Sequence, residues 1–224
     1  TQWEFEFGRA GFVFGTGSRV LSNSDSYLVD TLTGGTAYEY YVRAICTAGD
    51  TSTWTEIPGK FLTKCNDLVP ATLPWIENWD SVSTSVIIGD ANILCSSSYE
   101  WIFSTSDQVN GRIRTGDTSI TSTSGNGKAV TMDAAVAGIT PDAINELVLN
   151  INLDGYQDYV DLRLEFSIMH HGEERDSNDY ISIRGFEGDP WIRIAYIPDV
   201  VGFGNWTRLG FDIDSLLWHN GNLQ

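Results

Sequence analysis

Hydrophobic and polar residues alternate with a period of two through most of the chain, and helical spacing is scarce. Trp3, Phe5 and Phe7 fall on one side of such a run, and Tyr38, Tyr40, Val42 and Ala44 on one side of another. Further along come Leu147, Leu149, Ile151 and Leu153, then Leu162, Leu164, Phe166 and Ile168. Ile181 and Ile183, then Ile192, Ile194 and Tyr196, and finally Leu209, Phe211 and Ile213 complete the series. Each run is short and bounded by Gly, Asn, Asp, Ser or Pro, which predicts antiparallel strands and an all-β fold. Residues Pro141 to Leu147 allow a single helical turn, with Thr140 as N-cap and Pro141 at the first helical position.

The strand pattern breaks between Lys64 and Pro74, where Cys65-Asn66-Asp67 and two prolines stand, and a domain boundary is expected there. A second interruption, the Ser/Thr/Gly-rich stretch Asp117 to Lys128, lies between strand-like Arg112-Ile113-Arg114 and Ala129-Met132. It predicts a long surface loop. Trp3, Trp75, Trp79, Trp101 and Trp206 fall inside apolar strand patterns and are expected in the core. Trp54, in a loop, and Trp191, beside Asp189-Pro190, are expected to be exposed and to offer rings for stacking on a glycan.

Composition narrows the class of partner. The 224 residues are 42% hydrophobic and 12% aromatic, enough for packed cores, while only 19% are charged. Thirteen Lys and Arg stand against 30 Asp and Glu, a net charge of −17. Such a surface repels phosphate backbones and anionic lipid headgroups, so nucleic acid and membrane docking are both disfavoured. No apolar run reaches the ~18–20 residues that span a bilayer as a helix, and direct membrane insertion is not expected. Thr1-Gln2-Trp3 does not read as a signal peptide, so an export signal would lie outside this segment.

Two stretches carry family likenesses. Ser26 to Ala44 contains Leu32, then Gly34-Gly35, then Tyr38, and resembles the E–F region of a fibronectin type III domain with its tyrosine corner. Trp3-Glu4-Phe5-Glu6-Phe7-Gly8 looks like strand C of that family, Gly49 to Trp54 like its F–G loop, and Lys60-Phe61-Leu62-Thr63 like strand G. The resemblance implies a partial fibronectin type III module over 1–64, with Gly34-Gly35 as the turn and the Tyr38 hydroxyl returned to nearby backbone. Arg43 would point outward. Strands A and B of such a sandwich are absent from the segment, so it is expected to be part of a longer polypeptide.

After a linker at 65–74, the run Leu73-Pro74-Trp75-Ile76-Glu77-Asn78-Trp79 resembles the opening of the MAM-like or adhesin-type jelly-roll domains of multidomain bacterial surface proteins. The block from Met169 through Asn178-Asp179-Tyr180-Ile181-Ser182-Ile183-Arg184-Gly185 to Asp189-Pro190-Trp191-Ile192 is similar to an element of the same proteins. The likeness implies a jelly-roll β-sandwich over 75–224, truncated at its C-terminus, and an extracellular or cell-surface location. It also implies export by the type IX secretion machinery. Other domains of the same polypeptide, and an extracellular glycan or protein surface, would be the partners. Asp30-Thr31-Leu32, Asp80-Ser81-Val82 and Asp214-Ser215-Leu216 resemble the short O-glycosylation motif of such proteins.

Cys65 and Cys95 flank the opening element of the second domain. A bridge between them would close a loop of ~30 residues, worth roughly 3–4 kcal/mol in chain entropy. On the fibronectin likeness Cys46 lies at the far end of the F–G hairpin from Cys65. It is expected either to be buried or to pair outside the segment.

Catalytic patterns are missing. His170 and His171 are adjacent, so on a strand they face opposite ways and do not share one metal ion. The Glu-x-Asp-x-x-Glu strand of laminarinase-type glycanases is not present, nor is a Gly-x-Ser-x-Gly elbow or a phosphate loop. Asp212 and Asp214 share a face without the marks of an acid/base pair. The loop containing Glu173, Glu174, Asp176, Asn178 and Asp179 could supply oxygen ligands to calcium, against the plainer reading of a solvated acidic loop. The expectation is a non-catalytic segment serving adhesion, spacing or display, with a carbohydrate-binding module of an extracellular enzyme as the alternative.

Overall fold

The computed structural model describes residues 1–47, 49–82, 85–87, 92–106, 113–117, 127–132, 143–169, 179–197, 201 and 204–214. The fold is all-β. The first strands are β1 (Gln2–Arg9), β2 (Ser18–Ser22), β3 (Ala37–Thr47), β4 (Asp50–Thr51) and β5 (Gly59–Leu62). Next come β6 (Ser85–Ile87), β7 (Asn92–Cys95), β8 (Tyr99–Thr105), β9 (Ile113–Asp117) and β10 (Ala129–Met132). The last are β11 (Asn145–Ile151), β12 (Arg163–Ile168), β13 (Tyr180–Ile183), β14 (Ile192–Tyr196) and β15 (Thr207–Asp212).

Two compact units share these strands. The first is drawn from Thr1–Val69, Ile87–Ile113 and Thr140–Ile151, the second from Pro70–Val86, Arg114–Ile139 and Asn152–Gln224. In the first unit a sheet runs β2-β1-β3-β4, with β5 also on β3. Its antiparallel register sets Trp3 against Ala44, Phe5 against Val42 and Phe7 against Tyr40. The two apolar runs at the start of the chain are therefore the two halves of one sheet face, which is half-buried. Tyr38, 7% exposed, stacks on Phe61 at 5.6 Å, and its hydroxyl accepts the Thr33 N–H at 3.0 Å. That bond and the Thr63 side chain, which accepts the Thr36 N–H, brace the Gly34-Gly35 turn ahead of β3.

The second sheet of this unit runs β11-β8-β7 and contains the buried Phe103. Cys65 and Cys95 are joined in a disulfide with 5.7 Å between their Cα atoms, the bridge expected from their places on either side of the opening element of the second domain. Glu100 on β8 is also buried. Its carboxylate accepts the Cys65 N–H at 3.2 Å and the Asn150 side-chain amide of β11 at 2.8 Å. The bridge fits an oxidising, non-cytoplasmic compartment. No helix among the described residues is long and apolar enough to cross a membrane.

In the second unit a sheet runs β10-β9-β6, and two ribbons pair β12 with β15 and β13 with β14. The β12–β15 register sets Leu164 against Phe211 and Phe166 against Leu209, so the expected apolar runs again meet on one face. On the other face Arg163, Glu165 and Arg208 form exposed ion pairs of small energetic weight.

Two expectations are corrected. Asn145, Glu146 and Leu147 do not form a helical turn: they open β11, paired with Thr105, Ser104 and Phe103. Pairing along seven residues, extended by the Ile144 N–H to the Ser106 hydroxyl, outweighs a weak local cap signal. Thr140 and Pro141 lie outside the described residues, as do 118–126 of the expected loop. Tyr196, expected on the face of Ile192 and Ile194, stands on the opposite one. A bulge places Ile194 and Ala195 together against Ile181 and reverses the alternation beyond them.

Candidate ligand-binding surfaces

The first surface is the far side of the β2-β1-β3 sheet. Glu4 and Glu6 alternate on β1 and so share a face, and the register sets Arg43 across from Glu4 and Arg19 across from Glu6. Arg43 donates to Glu4 at 2.6 Å and Arg19 to Glu6 at 2.9 Å. Glu6 is fully buried, and its other oxygen accepts the backbone N–H groups of Gly15 (2.6 Å) and Gly17 (2.9 Å). Burial pushes its carboxyl up. The Gly17 and Gly15 N–H groups and the Arg19 guanidinium together outweigh burial and leave it below the usual glutamate value.

These bonds fold the β1–β2 loop back over the sheet, with Phe12 and Phe14 edge-on to Tyr41 at 5.9 and 4.9 Å. Gly17 is required by close approach: a Cβ there would lie 2.6 Å from the Phe12 ring and 2.7 Å from the Phe7 carbonyl. Trp54 lies in the same cluster. The stretch 52–55 is held along β3 by the Ser52 and Thr55 hydroxyls, which accept the Ala44 and Val42 N–H groups. The Trp54 ring has the Arg43 guanidinium 4.8 Å and the Arg19 guanidinium 5.5 Å from its centroid, and Phe14 at 5.5 Å. Trp54 is thus half-buried and engaged, where the sequence suggested an open ring.

The second surface is the β13–β14 hairpin. Its register puts Tyr180, Ser182, Arg193 and Tyr196 on one side and Ile181, Ile183, Ile192 and Ala195 on the other, while Arg184 and Trp191, which flank the strands, meet each other. Trp191 is 49% exposed, Tyr180 48% and Tyr196 38%. The Arg184 guanidinium lies 4.3 Å from the Trp191 centroid and also donates to the Glu187 carbonyl at 2.6 Å. Arg193 reaches both tyrosines, 4.3 Å from the Tyr180 ring and 4.8 Å from the Tyr196 ring, and donates to the Tyr196 hydroxyl. Each guanidinium holds a ring in place by cation–π attraction while the rest of the ring stays open.

Of the candidate calcium ligands, Glu173, Glu174, Asp176 and Asn178 lie outside the described residues, as do His170 and His171. Asp179 is exposed, and its carbonyl accepts the Ile197 N–H at 2.9 Å. Among the described residues no group of three or more His, Cys, Asp or Glu side chains is placed to hold a metal ion. The Asp214 carboxylate accepts the Asp161 N–H at 2.8 Å. Cys46 is a free thiol and is exposed, so the buried alternative for it does not hold.

Sequence reasoning had not singled out Glu4, Glu6, Arg184 or Arg193. The available signals were the two acids alternating with Trp3, Phe5 and Phe7, and the two-residue spacing of Trp191 and Arg193. No family model, curated protein or solved structure matches the chain.

Proposed function

We propose that this chain is a non-catalytic segment of a larger secreted or cell-surface bacterial protein, serving adhesion, spacing or display. What carries the reading is the use made of its buried acids. Glu6 and Glu100 both spend their carboxylates on backbone and neighbouring side chains that fasten strands together. Groups committed in this way brace a scaffold and are not themselves free for bond-making. The Cys65–Cys95 bridge adds a covalent staple suited to an extracellular setting.

The fibronectin type III resemblance of 1–64 is supported by the pairing of β1 with β3 and β3 with β5, and by the Tyr38 hydroxyl bond. A MAM-like jelly roll over 75–224 and type IX export are part of the same proposal. The test combines adhesion with turnover. Beads bearing the protein should be retained on polysaccharide-coated or cell-coated surfaces, with no reducing sugar, carboxylate or amine released from the coating. Enzymatic turnover by the folded protein would overturn the reading, whereas failure to retain beads on any such surface would overturn adhesion and leave spacing or display.

A carbohydrate-binding module remains the second reading, favoured by one observation, the open Trp191 ring.

A further inference from the structure

We propose that the outer face of the β13–β14 hairpin binds a carboxylated glycan, a chain of uronate-type sugars. This rests on the adhesive reading above and names its ligand class. The chain carries 30 acids against 13 Lys and Arg, so an arginine has carboxylates in plenty to choose from. Arg19, Arg43, Arg163 and Arg208 each have one. Arg184 and Arg193 have no carboxylate partner among the described residues and stand over aromatic rings instead.

A guanidinium laid against a ring still presents outward N–H groups in a fork matched to a carboxylate. Among the described residues no carboxylate meets these two guanidinium groups, and the ligand is the one that brings it. The same face supplies three partly open rings, Trp191, Tyr180 and Tyr196, and the Ser182 position between them. Trp191 immediately precedes β14, Arg193 follows two residues on, and Tyr196 stands beside Arg193 beyond the bulge, so the three succeed one another along an extended ligand. A sugar ring places an apolar C–H face on an aromatic ring and carries its carboxylate at the edge, where a neighbouring guanidinium can take it. An acidic peptide would satisfy the arginines but leave the rings without a flat partner. The bulge at Ile194-Ala195 is what makes the face: without it Tyr196 would turn inward, away from Arg193. Because the whole chain is strongly acidic, long-range repulsion opposes the approach of a polyanion and is screened as salt rises, so binding depends on these short contacts.

The test is calorimetric titration of the full chain with an oligogalacturonide of six sugars, alongside its methyl-esterified form, a neutral cello-oligosaccharide and a glutamate hexapeptide. The acidic oligosaccharide should bind at least tenfold more tightly than the other three. Arg193→Gln and Trp191→Ala should each weaken it tenfold or more, and Leu28→Ala, at an exposed position of the first unit, should leave it unchanged. Circular dichroism and the melting temperature of each variant identify any that fail to fold, and Arg184→Gln then serves in its place. Equal binding of the esterified or neutral sugar would overturn the role of the arginines. Preference for the peptide would overturn the glycan assignment. Retention of beads on cells with no binding to any oligosaccharide would overturn this inference and leave the adhesive reading standing.

Discussion

Replacing Glu6 tests whether one buried carboxylate holds the β1–β2 loop onto its sheet. One oxygen accepts two backbone N–H groups, and the other accepts from Arg19. Hydrogen bonds to a charged group contribute about 1.5–3 kcal/mol each, though not additively, and water can reach the exposed Gly15 in a variant. Glu6→Ala should therefore cost about 3 kcal/mol locally. Glu6→Gln keeps an acceptor for the glycines but turns an amide toward Arg19, and should cost about 2 kcal/mol. Hydrogen exchange at the Gly15 and Gly17 amides reads this directly. About 2 kcal/mol corresponds to roughly 30-fold faster exchange. The pH dependence has a definite sign. The folded carboxyl lies below the ordinary value of 4.5, so its contribution is complete above that value and is lost as pH falls through the lower folded value. Protection should hold from neutrality to pH 5 and fail only in more acid solution. Unchanged exchange in Glu6→Ala, or loss of protection beginning near pH 6, would refute the argument.

Three further outcomes follow from the same structure. Native protein should titrate one thiol per chain with a disulfide reagent, from Cys46, and three after reduction and unfolding. The Cys65→Ala, Cys95→Ala pair should lose roughly 3–4 kcal/mol in denaturant unfolding, the chain-entropy value for a 30-residue separation. Tyr38→Phe should cost about 1 kcal/mol, because the Thr33 N–H loses its acceptor while the ring stays stacked on Phe61.

The strands were legible wherever apolar residues alternated without interruption. Trp3 to Phe7, Tyr38 to Ala44 and Leu164 to Ile168 read correctly because period two has no competing interpretation there. Pro141 to Leu147 misled because a cap and a proline are local signals, whereas the β8 partner that takes Asn145 to Leu147 is 40 residues upstream. Tyr196 misled for a different reason. A bulge shifts every later side chain to the opposite face, and no residue type announces it. The sites were less legible still. Trp54 sits in a loop by sequence, yet its environment is set by Arg19, Arg43 and Phe14, which arrive from three separate segments.

Gly35 links the turn before β3 to the disulfide, and that link can be measured. Its φ of +62° lies in the left-handed region, its N–H donates to the Lys64 carbonyl at 2.8 Å, and an added Cβ would overlap Cys95 Sγ. Alanine in that conformation costs about 1–2 kcal/mol wherever it occurs. The overlap with sulfur is a separate cost that exists only while the bridge pins Cys95 in place. In the oxidised protein Gly35→Ala should therefore cost about 3 kcal/mol, and in the Cys65→Ala, Cys95→Ala background only the backbone share of about 1–2 kcal/mol. The double-mutant cycle should show a coupling of at least about 1 kcal/mol. Additivity within about 0.5 kcal/mol would mean that the turn and the bridge do not press on each other, and that the staple is attached to the first sheet by its strands alone.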